Sequence, residues 1–419
     1  MQRKIMAVHM LITQDCNFRC KYCFVAHQPR FMTKTTLFKT LDYLVDPAVA
    51  EPSGIRIEWF GGEPLMAKEL LFSGVDYAKT LAGERGVKVI NGIVSNMSLI
   101  TPEMIQEIKR RDIGMLASYD GKHTHNFSRH PGSAKLVYDN IKMSVAAGLR
   151  VGVAMQVMSG QVGHIYENFR DVESTGAPWV AFNPVVHKFD SFTEAEWGEL
   201  AVQFDKVCDH IFGLKMKAGV KGQPPFRYAQ LENQLAGILQ IAKTGKTNHS
   251  GDWSCGACKG SVAIDPEGYI VPCHHMPSNV GYDEWILGHV SGGGIDANLR
   301  NEFTKTKFED CGECAVVSCA PCRAINKSVT GSEFTRTPGH CRYQRVLYEA
   351  AVKLHNRLVD AGYFDEQKPT TLANPVVAEV TVSVKYTSAA ISPVRNTQPN
   401  LQMQQTGCEK NKAGKCSLK

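Results

Sequence analysis

The chain has 419 residues, 43% of them apolar and 21% charged, with 47 Lys and Arg against 41 Asp and Glu. That length exceeds one ordinary domain and supplies a sizeable core. A net charge of +6 excludes a dominant nucleic-acid-binding face on a protein of this size. The informative count is 14 cysteines, too few for a disulfide-dense mini-protein and too many for a routine cytosolic enzyme.

In chain order, a short basic start runs into an apolar stretch at 6–12 that reads as a strand. It contains His9 and lacks a small-residue cleavage site, so it is not read as a signal peptide. No run of 18 apolar residues occurs, so neither a transmembrane span nor a membrane partner is expected. A reducing cytoplasm is the expected setting, and there clustered cysteines serve as metal ligands more often than as disulfides.

Further apolar strands are expected at 55–60, 87–95, 114–119, 151–157 and 179–184. Helical patterns at 35–44, 67–82, 102–111, 134–147 and 166–174 lie between them. Six strands alternating with helices predict an α/β fold with a parallel sheet, open or curled into a partial barrel. Active sites of such folds gather at the carboxyl ends of the strands. Cys16, Gly61-Gly62-Glu63-Pro64, Ser95-Asn96 and Ser118-Tyr119-Asp120-Gly121 each follow one of the first four strands and converge on one rim.

Residues from about 190 to 245 read as a helical bridge, with helices at 194–212 and 228–242. Beyond it cysteine, glycine and short turns dominate. A hairpin is expected around Asp265-Pro266-Glu267-Gly268, and a closing helix at 343–361. From about 366 the Thr, Ser, Asn, Gln and Pro content predicts a flexible tail. In that tail Val380, Val382, Val384 and Tyr386 alternate with polar residues. The resulting divisions are 1–190, 191–250, 251–365 and 366–419.

The cysteines group as three, eight and three. Cys16, Cys20 and Cys23 form C-x3-C-x2-C. Cys255, Cys258, Cys273, Cys311, Cys314, Cys319, Cys322 and Cys341 form the second group, and Cys208, Cys408 and Cys416 are scattered. Four-iron clusters take four thiolates each, so eight ligands fill two clusters and three leave one iron open. Two zinc knuckles are the competing reading of the second group. Cys208, in an amphipathic helix, reads as a buried core thiol.

The run Cys16-Asn17-Phe18-Arg19-Cys20-Lys21-Tyr22-Cys23 resembles the signature of radical S-adenosylmethionine (SAM) enzymes, and Gly61-Gly62-Glu63-Pro64 resembles that family's second hallmark. The later cysteines are similar to the twitch-type SPASM extension of peptide- and protein-modifying members. The resemblance covers about residues 5–350. It implies a partial (β/α)6 TIM barrel followed by a SPASM domain. It also implies three [4Fe-4S] clusters, one of them binding SAM, and release of a 5′-deoxyadenosyl radical.

By the same resemblance, Cys16, Cys20 and Cys23 hold the first cluster. Tyr22, Gly61, Gly62, Glu63, Ser95, Asn96, Ser118 and Arg129 are the expected contacts to SAM. Cys255, Cys258, Cys273 and Cys322 are assigned to one auxiliary cluster, and Cys311, Cys314, Cys319 and Cys341 to the other. The spacings x4 and x2 after Cys314 and Cys319 depart from the family's usual x5 and x3, which leaves this partition open.

Anaerobic sulfatase maturases carry an Asp base right after the cysteine that corresponds to Cys273. This chain has His274 there, which argues for a different peptide maturase, with His274 as the candidate base. The expected substrate is a ribosomally made precursor peptide, modified by crosslinking, thioether formation or excision of a tyrosine-derived fragment. Formylglycine formation and a non-enzymatic iron–sulfur or zinc protein are the alternatives. Only about a dozen residues precede Cys16, so a separate leader-recognition protein is an expected partner, as is a flavodoxin- or ferredoxin-type electron donor.

Overall fold

The computed structural model describes residues 4–186, 192–220, 222–244, 255–277, 282–305 and 314–364. Cys311, Cys408, Cys416 and the tail, including its alternating valines, lie outside the described residues.

Six strands alternate with helices through the first half. They are β1 (Ala7–Thr13), α1 (Lys34–Leu44), β2 (Ile55–Gly61), α2 (Lys68–Arg85), β3 (Val89–Ser95), α3 (Pro102–Arg110), β4 (Gly114–Ser118), α4 (His125–Ser128), α5 (Ala134–Ala146), β5 (Val151–Val157), α6 (Ile165–Ser174) and β6 (Trp179–Pro184). Then follow α7 (Glu194–Ala218), β7 (Arg227–Tyr228), α8 (Ala229–Thr244), β8 (Ser261–Ile264), β9 (Tyr269–Val271), β10 (Gly288–His289), β11 (Gly294–Ile295), α9 (Ala297–Thr304), α10 (Arg323–Thr330) and α11 (Pro338–Asp360). Neighbouring strands from β1 to β7 pair in parallel and in chain order. This is the parallel α/β partial barrel expected above.

Local chemistry sets the element ends. Thr33 and Thr101 cap α1 and α3 by accepting from Thr36 N and Met104 N, and α7 opens on a Thr193–Glu196 capping box. Gly86, at φ 66°, ends α2 in the left-handed conformation that a Cβ disfavours. Val8, Met10 and Ile12 of β1 and Ile55, Ile57 and Trp59 of β2 point to the helical layer and are fully buried. Trp59 keeps its indole N–H paired with Asn91 Oδ1 at 3.0 Å. The other face of the same strands lines the barrel interior, where His9 and Phe60 are half-buried and Leu11 is buried.

Three features depart from the sequence expectation. Arg227–Tyr228, expected at or beside a helix start, is a strand paired with β6; the side chain of Gln230 secures it by bridging both Phe182 N and Phe182 O. β8 pairs in parallel with β1, in register Ala7 to Ser261, so the hairpin of the cysteine-rich segment extends the barrel sheet. The closing helix starts at Pro338 rather than 343, because Pro at the first turn lacks only an N–H that would be unpaired anyway. Cys341 therefore sits in its first turn.

The hairpin β8–β9 turns where expected. Asp265 Oδ1 accepts from the backbone of Glu267, Gly268 and Tyr269 at 2.9–3.2 Å, and Gly268 supplies φ +98°. Helix α11 lies beside α7 with a constant offset, in the pairs Arg342–Glu194, Lys353–Asp205 and Arg357–Asp209. Cys208 is buried between these helices and reaches Ala350 O at 3.6 Å. Among the described residues no helix is long and apolar enough to cross a membrane.

Candidate active site

The three-cysteine loop leaves the end of β1 and lies against the loop that leaves β2. Gly62 N donates to Thr13 O at 2.9 Å and Glu63 N to Asp15 O at 2.8 Å. A Cβ on Gly62 would stand 2.0 Å from Asp15 O and 3.1 Å from Cys16 Cβ, and one on Gly61, at φ +141°, would stand 2.1 Å from Thr13 O. Only glycine allows that approach. The two glycines thus set the cysteine loop on the rim, whatever they contact beyond it.

Glu63 is fully buried. Its carboxylate accepts from Ser95 Oγ at 2.9 Å, Leu65 N at 3.1 Å and Asn96 N at 2.7 Å. Burial pushes its pKa up to about 7 against those three donors. Glu63 therefore clamps the ends of β2 and β3 together. Asn96 continues the chain of contacts: Nδ2 donates to Asn17 Oδ1 at 2.9 Å and stands 3.9 Å from Cys16 Sγ. Ser95 and Asn96 accordingly brace the cysteine loop.

On the other side of that loop, Arg129 Nε and Nη2 each donate to Asp120 at 2.9 Å, with the two side chains only 6% and 0% exposed. Asp120 also accepts from Ser128 Oγ at 2.5 Å, Tyr22 Oη at 3.2 Å and Gln156 N at 2.8 Å. Burial opposes the charge on Asp120, but Arg129 overrides it and holds the carboxylate below its usual range. The charge of Arg129 also opposes the rise in the Cys20 thiol's pKa that burial causes. Asp120 was missing from the residues singled out in the sequence, although Asp120-Gly121 marked the rim loop. Ser118 ends β4, half-buried on the barrel interior.

The donor set fits an iron–sulfur cluster. Cys16, Cys20 and Cys23 are free thiols on one short loop, close enough that Cys20 and Cys23 both perturb Cys16. Burial pushes Cys16 up to about 12 and Cys23 up to about 11, so protons must leave when metal binds.

The second cysteine group divides in space. Cys273, after β9, has its thiol pKa raised well above the usual value, first by burial and then by its neighbours Cys322, Cys255 and Cys258. Cys322 caps α10. Behind this quartet lie two buried arginines: Arg300 Nε donates to Cys258 O at 2.8 Å, and Arg323 pairs with Glu333. Cys314 adjoins Tyr348 of α11, Cys341 is in that helix's first turn, and Cys319 Sγ stands 3.7 Å from His340 Nε2. His340 was not flagged in the sequence; its place beside Cys341 was the available signal.

The two cysteine regions meet at a cluster of rings. His274 lies 4.3 Å from His9 and 4.8 Å from Phe60 between ring centroids, and Phe24, next to Cys23, stacks on His275 at 3.9 Å. Burial, then the neighbouring His9 and His275, hold the His274 pKa well below the usual value, and His9 is pushed down to about 4. Among the described residues, His274 Nδ1 is buried and has no hydrogen-bond partner. Neither His9, Phe24 nor Phe60 carries a motif, so only the fold reveals this wall.

The Radical SAM superfamily model matches residues 10–176. The radical SAM cyclopropyl synthase TigE of Paramaledivibacter caminithermalis is 24% identical over 157 residues, 34% of this chain and 32% of that protein. The chain thus aligns with about a third of that relative's length. Among solved structures, anSMEcpe with bound AdoMet and the Cp18Cys peptide superposes with a TM-score of 0.65 at 16% identity, covering 85% of this chain and 98% of the other. Streptococcus suis SuiB bound to its precursor peptide SuiA gives 0.55 at 14% identity, covering 81% and 76%. These likenesses show a shared fold.

Proposed function

Taking the chain as a radical SAM protein whose cysteine-rich C-terminal region fits the SPASM type, we propose that it cleaves SAM reductively and modifies a ribosomally made precursor peptide. The observation that carries this reading is the ring wall, where Phe24 of the first cysteine loop meets His274 and His275, which follow Cys273. A substrate in the barrel mouth there touches both cysteine regions. The neighbours solved with peptides support a peptide substrate.

When bound, the clusters and SAM supply one-electron cleavage to a 5′-deoxyadenosyl radical and a sink for the electron that an oxidised peptide releases. The chain's own residues do the rest. Cys16, Cys20 and Cys23 hold the first cluster, and Cys255, Cys258, Cys273 and Cys322 hold an auxiliary one. The second auxiliary set is Cys314, Cys319 and Cys341 with Cys311. Gly61 and Gly62 let the SAM amino-acid group approach the backbone. Glu63, Ser95 and Asn96 act mainly as positioning residues, since Glu63 already satisfies three internal donors. Tyr22 and Ser118 border the SAM site, and Arg129 reaches it from its pair with Asp120. His274 takes a proton from the substrate at Nδ1; that nitrogen's lack of a partner among the described residues supports the role.

Reducing equivalents come from a flavodoxin- or ferredoxin-type donor. Co-expression with a candidate precursor peptide and mass spectrometry of that peptide test the reading. Loss of two hydrogens marks a crosslink or oxidation, and loss of a residue fragment marks excision. An unmodified peptide, from enzyme that cleaves SAM, would refute that peptide as the substrate. Oxidation confined to one Cys or Ser would favour the sulfatase-maturase-like alternative.

A further inference from the structure

A second constellation stands on the same rim but faces solvent, outside the site above. His123 lies in the loop after β4, His164 in the 3₁₀ turn Val162–His164 after β5, and Glu167 in the first turn of α6. His123 Nε2 is 3.0 Å and His164 Nδ1 3.8 Å from the same Glu167 oxygen. The two imidazoles stack at 5.0 Å with 16° between their planes, and the three donor atoms lie within 4.8 Å of one another.

We propose that His123, His164 and Glu167 form a binding site for a divalent transition cation of the zinc or nickel class, which ties the β4 and β5 rim loops together. The donor set selects the metal. Two imidazoles and one carboxylate suit zinc, nickel or cobalt, whereas calcium and magnesium require mostly oxygen. The remaining coordination positions face water.

The site is also pre-ordered. His123 N donates to Asn168 Oδ1 at 3.1 Å, and Asn168 Nδ2 donates to Thr124 Oγ1 at 2.7 Å. Asn168 is buried on α6, one residue after Glu167, and His164 directly precedes that helix. All three donors are thereby referred to one rigid element, so little order must be gained on binding. Drawing them to about 2.0–2.2 Å from a common ion requires side-chain motion only, and all three side chains are at least one-third exposed. The His123 loop also carries Asp120, so a cation here braces the Asp120–Arg129 pair from outside without touching it.

The test titrates Ni2+ into the full chain after anaerobic cluster loading, which occupies the cysteines of the two clustered groups, and reads binding by calorimetry. Wild type is expected to take one saturable equivalent and to melt at a higher temperature with nickel than without. His164→Ala and Glu167→Gln are expected to bind at least about tenfold more weakly and to lose the thermal shift. Their SAM cleavage without added nickel should match wild type, which shows that they are folded. Absence of saturable binding, or identical isotherms in wild type and both variants, would overturn the proposal.

Discussion

Substituting Gly62 by Ala tests whether the glycine loop sets the position of the first cysteines. The added Cβ would meet Asp15 O at 2.0 Å and Cys16 Cβ at 3.1 Å, where ordinary contact is about 3.5–4.0 Å. The two loops must part by more than an ångström. Parting breaks the pairs Gly62 N to Thr13 O and Glu63 N to Asp15 O, each worth about 0.5–1.5 kcal/mol. Overpacking adds about 1–3 kcal/mol, so the variant should lose roughly 2–6 kcal/mol, most of it local to the site. Gly83→Ala is the control, since nothing lies within 4 Å of its added Cβ. The assay is iron per chain after anaerobic reconstitution. Gly62→Ala should lose about four iron atoms relative to wild type, the content of one such cluster, while Gly83→Ala loses none. A Gly62→Ala protein that loads like wild type would refute the reasoning.

Other outcomes follow from the same geometry. Asp120→Asn strips the counter-charge from Arg129 and should cost roughly 3–5 kcal/mol, as breaking a buried ion pair does; urea melts check this, and Asp120→Ala with Arg129→Met should cost less than the two single changes summed. Glu63, ordinarily at 4.5, is pushed up to about 7 in the folded chain, so its contribution is full below 4.5 and fades as pH rises through 7. That loss amounts to about 3 kcal/mol, and Glu63→Gln should flatten the stability change between pH 5 and pH 8; a slope equal to wild type contradicts the assignment. Chelating the iron should expose residues 255–277 and 314–322 to hydrogen exchange before β2–β5, because metal binding there is coupled to folding; equal protection of both regions would count against it.

The first six strands were legible because each short apolar run ends at a turn and alternates with a helical pattern. The rim followed from chain order alone. What the sequence hides are contacts between distant segments. β8 joins β1 about 250 residues away, at the register Ala7 to Ser261, and no local pattern encodes that pairing. His9, Phe24, Phe60 and His274 come from four segments and meet only because β1 lies between β2 and β8. Glu63 reads from its motif as a ligand contact, yet its burial and three donors make it first a clamp between strands. Arg129 reads as a contact to SAM, and Asp120 engages it from nine residues away, across a loop whose course only the fold reveals.

The central claim is that Cys16, Cys20 and Cys23 generate radical chemistry from SAM. The direct measurement is anaerobic incubation of the iron-loaded protein with SAM and a one-electron reductant, followed by quantification of 5′-deoxyadenosine. Wild type should form it, and Cys20→Ala should form none while keeping the iron bound by the second cysteine group. No 5′-deoxyadenosine from fully loaded wild type, or equal amounts from Cys20→Ala, would contradict the account.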